Sequence, residues 1–453
     1  MLKKIISAVI AITLVIGMCS CSEQESTQLP WNPAVPEITR PNLPEPEEPV
    51  LPPDDTSVQP TANYAFTPGR KDEKITDEFA QAFNNFSVEL FKQSVKQDLK
   101  QGRNTLVSPE SVSFALGMTA NGANNNTLVQ MKNVLCGTMS LADYNKNMNL
   151  LISDAHNSST ENSKLEIANS VWLKDMKGLT LKESFVKTCK EQFNAEMFKA
   201  PFDKSTVESI NGWVNEKTHN MIPKIVETLD ANARAVLVNC VAFDSKWAVP
   251  YDEDQIKENC EFTNANGEKT NCTMLSSKEK FYVEGEHETG FVKEYSGGKY
   301  AFMAVLPNEG TGIYEYVSSL TTDRFAKLYK ERTDRYDVKT KTPQFKYDYD
   351  INLNETLRGM GMEEAFTMNA DFSNMTGDKS LYIGSVLHKT HIELDANGTK
   401  AAAATAVTMD AKCALDESLP KTVYLDRPFV YAIMNTRTGL PVFMGTVCDP
   451  SVQ

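Results

Sequence analysis

Beyond residue 73 the hydrophobic positions fall into patterns that run to Pro450 without an internal repeat or a second linker. Phe79, Phe83, Phe86, Leu90 and Phe91 recur at helical spacing, which predicts an amphipathic helix over 76–97. Ser108-Pro109 opens a second helix, serine as cap and proline in the first turn, running through ESVSFALGMTA. Its small residues suit burial against a sheet. TVESINGWVNEKTHNMI is helical in pattern, whereas ARAVLVNCVAF is rich in valine and apolar on both faces, as a central strand of a large sheet must be. YAFMAVLP reads as another strand, and FVYAIMNTRTGLPVFMGTV as two strands joined by a turn ending at Gly439. Helices dominate early and strands late, so the fold class is α+β rather than alternating βαβ.

The first 70 residues follow different rules. Lys3 and Lys4 precede an apolar run from Ile5 to Met18, and Ser20 stands before Cys21, the layout of an export leader with its cleavage site. The run is too short to span a bilayer as a mature helix. Its ending resembles the lipobox of bacterial lipoproteins, which implies residues 1–21 as a signal peptide and Cys21 as the lipidated first mature residue. Met18 and Cys19 depart from the usual pattern there. Eleven of the 21 prolines lie between Pro30 and Pro68 among acidic residues, so 22–70 is expected to be an extended, disordered linker ahead of one domain over 71–453.

Charge and chemistry exclude several classes. A net charge of −14 and a pI near 5.0 lack the basic stripe that nucleic-acid binding requires. There is no G-x-S-x-G, P-loop or H-E-x-x-H, so no hydrolase constellation can be assembled. His388 and His391 are the sole close histidine pair, and residues three apart on a strand point to opposite faces, which argues against a shared metal. No cofactor, no metal and no enzymatic activity are expected.

Seven cysteines remain after Cys19 and Cys21, without CxxC spacing. In CEFTNANGEKTNC, a three-residue loop 265–267 with Gly267 left-handed would place Cys260 opposite Cys272, as a disulfide requires. A two-residue Asn-Gly loop would put them on opposite faces.

The segment DANGTKAAAATAVTMDAKC, 395–413, is nearly uncharged in an acidic chain. Written as a strand from 399, one face carries Thr399, Ala401, Ala403, Thr405, Val407, Met409 and Ala411, all uncharged. The other carries Lys400, Ala402, Ala404, Ala406, Thr408 and Asp410, and so holds both charges. Alanine has poor strand propensity and is the best helix former, so composition alone equally allows a helix or loop. Gly398 supplies a hinge, and no proline or inward charge blocks entry into a sheet.

These residues resemble the serpin family. VLHKTHIELDANGTKAAAATAV is similar to the serpin strand leading into the reactive-loop hinge, and NTLVSPESVSFALGMTANGANNNT to the second helix. INGWVNEKTHNMI resembles the helix across the main sheet, LVNCVAFDSKWAVPY the central strand, and TVYLDRPFVYAIMNTRTGLPVFMGTVCDP the C-terminal signature. The likeness covers about 74–450.

The resemblance implies a serpin fold: three β-sheets, eight or nine helices and an exposed reactive-centre loop. It implies Gly398, Thr399, Lys400, Ala401, Ala402, Ala403, Ala404 and Thr405 as the hinge. It implies Ser108, Ser111, Asn239 and His388 as polar groups beneath the opening sheet, with Trp247 where insertion begins. It places the scissile bond at Lys412-Cys413, with Met409 or Leu415 as alternatives because the return to Phe429 is longer than usual. Ala396 and Asn397 stand where inhibitory members commonly carry acids, and Asn220 where glycine is usual.

The implied activity is suicide inhibition of a serine protease of trypsin-like preference, a cysteine protease being the other target class, by an exported, outer-membrane-anchored monomer. A non-inhibitory serpin acting as a binding or scaffold lipoprotein is the alternative.

Overall fold

The computed structural model describes residues 8–17, 64–98, 102–220, 222–230, 232–399 and 420–452. Lipidation at Cys21, most of the linker, the hinge positions Lys400, Ala401, Ala402, Ala403, Ala404 and Thr405, and the Lys412-Cys413 bond lie outside them.

In chain order the first strands are β1 (Ala8–Gly17), β2 (Thr105–Val107), β3 (Ser163–Lys174), β4 (Ala195–Ala200), β5 (Ala235–Lys246) and β6 (Ile256–Thr263). Then come β7 (Lys269–Glu279), β8 (Phe281–Glu284), β9 (Glu288–Glu294), β10 (Tyr300–Pro307), β11 (Val338–Pro343) and β12 (Phe345–Asn352). The last are β13 (Tyr382–Leu394), β14 (Gly398–Thr399), β15 (Lys421–Tyr424), β16 (Phe429–Asn435) and β17 (Pro441–Val447). They form three sheets: a main one ordered β12-β13-β1-β5-β3-β4 with β14 also on β5, a second ordered β2-β17-β16-β10-β9-β8, and a third ordered β15-β11-β7-β6. Ten α-helices surround them among the described residues; Asn354–Gly359 and Ser373–Thr376 are little more than single turns.

The patterned segments form the expected elements. Helix α1 spans Asp77–Asp98, and its phenylalanines are all buried. Helix α2 spans Pro109–Gly122; the Ser108 hydroxyl accepts from Ser111 N at 3.1 Å and so satisfies one otherwise unpaired N–H of the first turn. Strand β5 is covered on both faces, as its unbroken apolar run requires. Ala235, Leu237, Val241 and Phe243 join the large core. Val236, Val238, Cys240 and Ala242 join a second cluster with Ile210, Trp213 and Val214 of the helix Lys204–Lys217.

One boundary differs from the one the sequence suggests. Residues 64–70 belong with the body rather than the linker: Tyr64 Oη donates to Glu183 at 2.6 Å, and Gly69 N donates to Asn149 and Ser153 at 2.9 Å each. Proline content is blind to what a segment of backbone packs on. Within the run that reads as an export leader, Ala8–Gly17 forms β1, a strand antiparallel to both β13 and β5.

The 260–272 hairpin takes the register of the three-residue loop. Asn264 N donates to Glu268 O at 2.8 Å, Gly267 is left-handed with φ +83°, and Cys260 pairs with Cys272. Asn220 adopts φ +65° after its helix, a conformation asparagine tolerates in place of glycine.

Candidate functional site

Strand β13 ends at Leu394, and the chain turns back over three residues, 395–397, to begin β14. Asp395 builds that turn, its carboxylate accepting from Asn397 N at 2.7 Å and Gly398 N at 3.2 Å. Trp247 clamps it from β5's end. Trp247 N donates to Asn397 O and its indole Nε1 to Asp395 O, each at 2.9 Å, while the ring stacks on Tyr295 with centroids 4.5 Å apart. An acid does precede the hinge in this chain, then, and it orders backbone rather than forming an ion pair.

Gly398 and Thr399 pair antiparallel with Lys246 and Ser245. A Cβ on Gly398 would meet Ser245 O at 2.3 Å, so close backbone approach requires glycine here. Thr399 is fully buried and shares a 2.8 Å hydrogen bond with Tyr295 Oη. The first two residues of the segment are thus paired into the main sheet.

The pairing they begin points along one lane. Along β5, Ser245 faces Thr399, and Phe243, two residues back along the chain, faces Ala8 of β1. From there β1 continues, paired with β5 on one side and β13 on the other. Ala8–Gly17 and β14 are therefore collinear occupants of a single strand position between β5 and β13.

Ser108, Ser111, Asn239 and His388 come together beneath this lane. Ser108 N donates to His388 Nε2 at 3.1 Å, and Ser108 Oγ to Val442 O at 2.7 Å. Ser111 Oγ bonds Asn239 Oδ1, and Asn239 Nδ2 donates to Asn169 Oδ1 at 2.8 Å. All are buried, where unpaired polar groups are costly. Accepting at Nε2 leaves the proton on Nδ1 of His388, which has no partner among the described residues. Burial pushes that imidazole down to about 3, so it is neutral. Asn239 and His388 share one level of the sheet, since Ile12 of β1 pairs with both.

Sequence reasoning missed Asn169 and Tyr295. A lone Asn inside the apolar run LEIANSVWL was a usable signal for the first; Tyr295, on a loop, carried none. His391 is separate from the cluster and bonds Asp348.

The polar cluster thus lies beneath the strand position that β1 and β14 share along β5. The chain belongs to the serpin (serine protease inhibitor) family, whose model matches residues 81–450. Members are generally protease inhibitors rather than enzymes. It is 30% identical to human Serpin B8 over 384 residues, 83% of this chain and 100% of that protein. It resembles the native-state crystal structure of tengpin, a thermophilic serpin, with TM-score 0.75 and 39% identity over 85% of this chain and 97% of the other. Human thyroxine-binding globulin complexed with thyroxine shares the fold, with TM-score 0.71 and 24% identity over 82% of this chain and 98% of that one.

Proposed function

We propose that this serpin traps trypsin-like serine endopeptidases by loop cleavage followed by strand insertion between β5 and β13. The observation that carries the proposal is the lane itself: β14 enters it in the register that β1 continues. A protease serine attacks the Lys412 carbonyl, the Cys413 amine leaves, and Lys412 stays esterified to the enzyme. The freed strand then runs down the lane, dragging the acyl-enzyme with it. Serpin loop insertion is an established instance of strand addition to a sheet.

The residue pattern suits this movement. With Thr399 inward, Ala401, Ala403, Thr405, Val407 and Met409 would follow it inward, all uncharged, while Lys400 and Asp410 would face solvent. On the β14 register Thr405 reaches the level of Asn239, where a hydroxyl could serve the unpartnered His388 Nδ1. Lys412 would pair with a carboxylate in the pocket of the target enzyme.

In the same proposal residues 1–21 are an export leader, Cys21 carries the lipid, and the linker holds the domain off an outer membrane. Removal of the leader would vacate the lane that Ala8–Gly17 fills, readying it for the loop.

The test is thermal unfolding of the body, residues 64–453, before and after a single cut in 400–419. Insertion adds a fully paired strand, so the cut form should unfold at a markedly higher temperature. An unchanged or lower transition would contradict insertion.

A further inference from the structure

We propose that Cys260 and Cys272 are a reversible disulfide site that fastens the edge strand of the smallest sheet.

Strand β6 is that edge: among the described residues β7 is the one strand it pairs with, and at its end Thr263 N donates to Asp426 O at 2.9 Å. Its pairing is broken by a register shift between Lys257 and Cys260, and Asn259 in the break is left-handed with φ +56°. A bulged edge is open to slippage, because its outer N–H and C=O groups lack a strand and its inner ladder is interrupted. Cys260 is the first residue to resume the pairing, and its partner is Cys272. A covalent tie at this position would fix the register on the far side of the bulge.

The geometry is favourable. Directly opposed residues of an antiparallel pair have Cα atoms about 4.5–5.5 Å apart, inside the range of about 4.4–6.8 Å that disulfides span. They also share a face. The Cys272 thiol already lies over its partner, 3.6 Å from Cys260 O, while the Cys260 thiol is turned to Lys257 O at 3.4 Å. A side-chain rotation of Cys260 brings the sulfurs together.

Accessibility separates this pair from the other cysteines among the described residues. Cys136, Cys189, Cys240 and Cys448 are buried, whereas Cys260 and Cys272 are half-buried, and both are free thiols in the structure. The oxidant is a small disulfide, RS–SR. The Cys260 thiolate attacks one of its sulfurs and releases one RSH; the Cys272 thiolate then attacks Cys260 sulfur, forms the cross-strand bond and releases the second RSH. Two protons and two electrons pass from the protein to the reagent. A surface disulfide of this kind is also readily reduced.

The site is independent of protease inhibition, so neither proposal falls with the other. The test is to equilibrate the full chain with oxidised glutathione, block free thiols by alkylation, and digest without reductant. A peptide linked through Cys260 and Cys272 is expected, lost on reduction, with Cys136, Cys189, Cys240 and Cys448 still thiols. In Cys272→Ser, Cys260 should instead retain one glutathione, which separates a paired site from a merely exposed one. Cys260 and Cys272 both alkylated, each carrying its own glutathione, or linked to other cysteines would overturn the proposal.

Discussion

The hydroxyls of Thr399 and Tyr295 lie 2.8 Å apart, both side chains buried against the main sheet. This one contact sets which residues of the following segment would face the core, because side chains alternate along a strand. Continued as a strand, the segment would put Thr405 on the inward set and Ala404 on the outward one.

Parity gives the first prediction. Thr405→Arg would bury an unpaired charge on insertion, at several kcal/mol, whereas Ala404→Arg would leave it in water. The first variant should be cleaved without trapping, and the second should trap nearly as the parent does. Stoichiometry of inhibition measured on both checks this.

Gly398→Ala is expected to disturb the hinge, since its Cβ would lie 2.3 Å from Ser245 O. Backbone cannot yield as a flexible side chain does, so a loss of about 1–3 kcal/mol is expected. Denaturant titration measures the loss. Amide exchange at Thr399 should rise as its pairing with β5 weakens.

Trp247→Phe removes the indole donor to Asp395 O and should cost about 1–3 kcal/mol if that carbonyl is left unsatisfied. Trp247 sits where the turn meets the lane, so its emission should change when the cut loop enters. Fluorescence before and after loop cleavage should differ in the parent and differ far less in the variant.

Two buried groups set opposite limbs of the stability profile. His388 is pushed down to about 3 from 6.5 by burial. Between these values the unfolded chain binds a proton the folded chain refuses, so stability falls as pH drops below about 6.5. Glu110 is pushed up to about 8 from 4.5 by burial and then by Asp154. The folded chain therefore keeps a proton the unfolded chain has lost, and stability falls as pH rises from about 4.5 toward 8. Each slope approaches about 1.4 kcal/mol per pH unit for one proton. His388→Gln should flatten the acid limb and Glu110→Gln the alkaline one, read from urea midpoints across pH 4–9.

Elements whose residues answer to local rules were legible in the sequence. The capped start of α2, the doubly apolar β5 and the left-handed Gly267 each follow from side-chain chemistry within a few positions, and the structure has all three. The register of Cys260 with Cys272 was one of two that the turn residues allowed, and the structure takes the one set by the three-residue loop. Groups joined across distant strands were harder. Asn169 bonds Asn239, and Tyr295 bonds Thr399, over 70 and 104 residues, and nothing local to either announces its partner. Gly398 was recognised as a hinge glycine, but the close approach of the β5 backbone to it is something only the pairing reveals. Ser108, Ser111, Asn239 and His388 were found through family likeness, and their convergence beneath one lane gives that likeness a physical content.

The most direct measurement is incubation of residues 64–453 with trypsin at several molar ratios, followed by denaturing electrophoresis and mass spectrometry. The account predicts an adduct that survives denaturation, with the chain cut after Lys412 and trypsin activity lost in proportion. A loop cleaved while trypsin stays fully active and unbound would contradict trapping of trypsin-like enzymes and favour a binding or scaffold role.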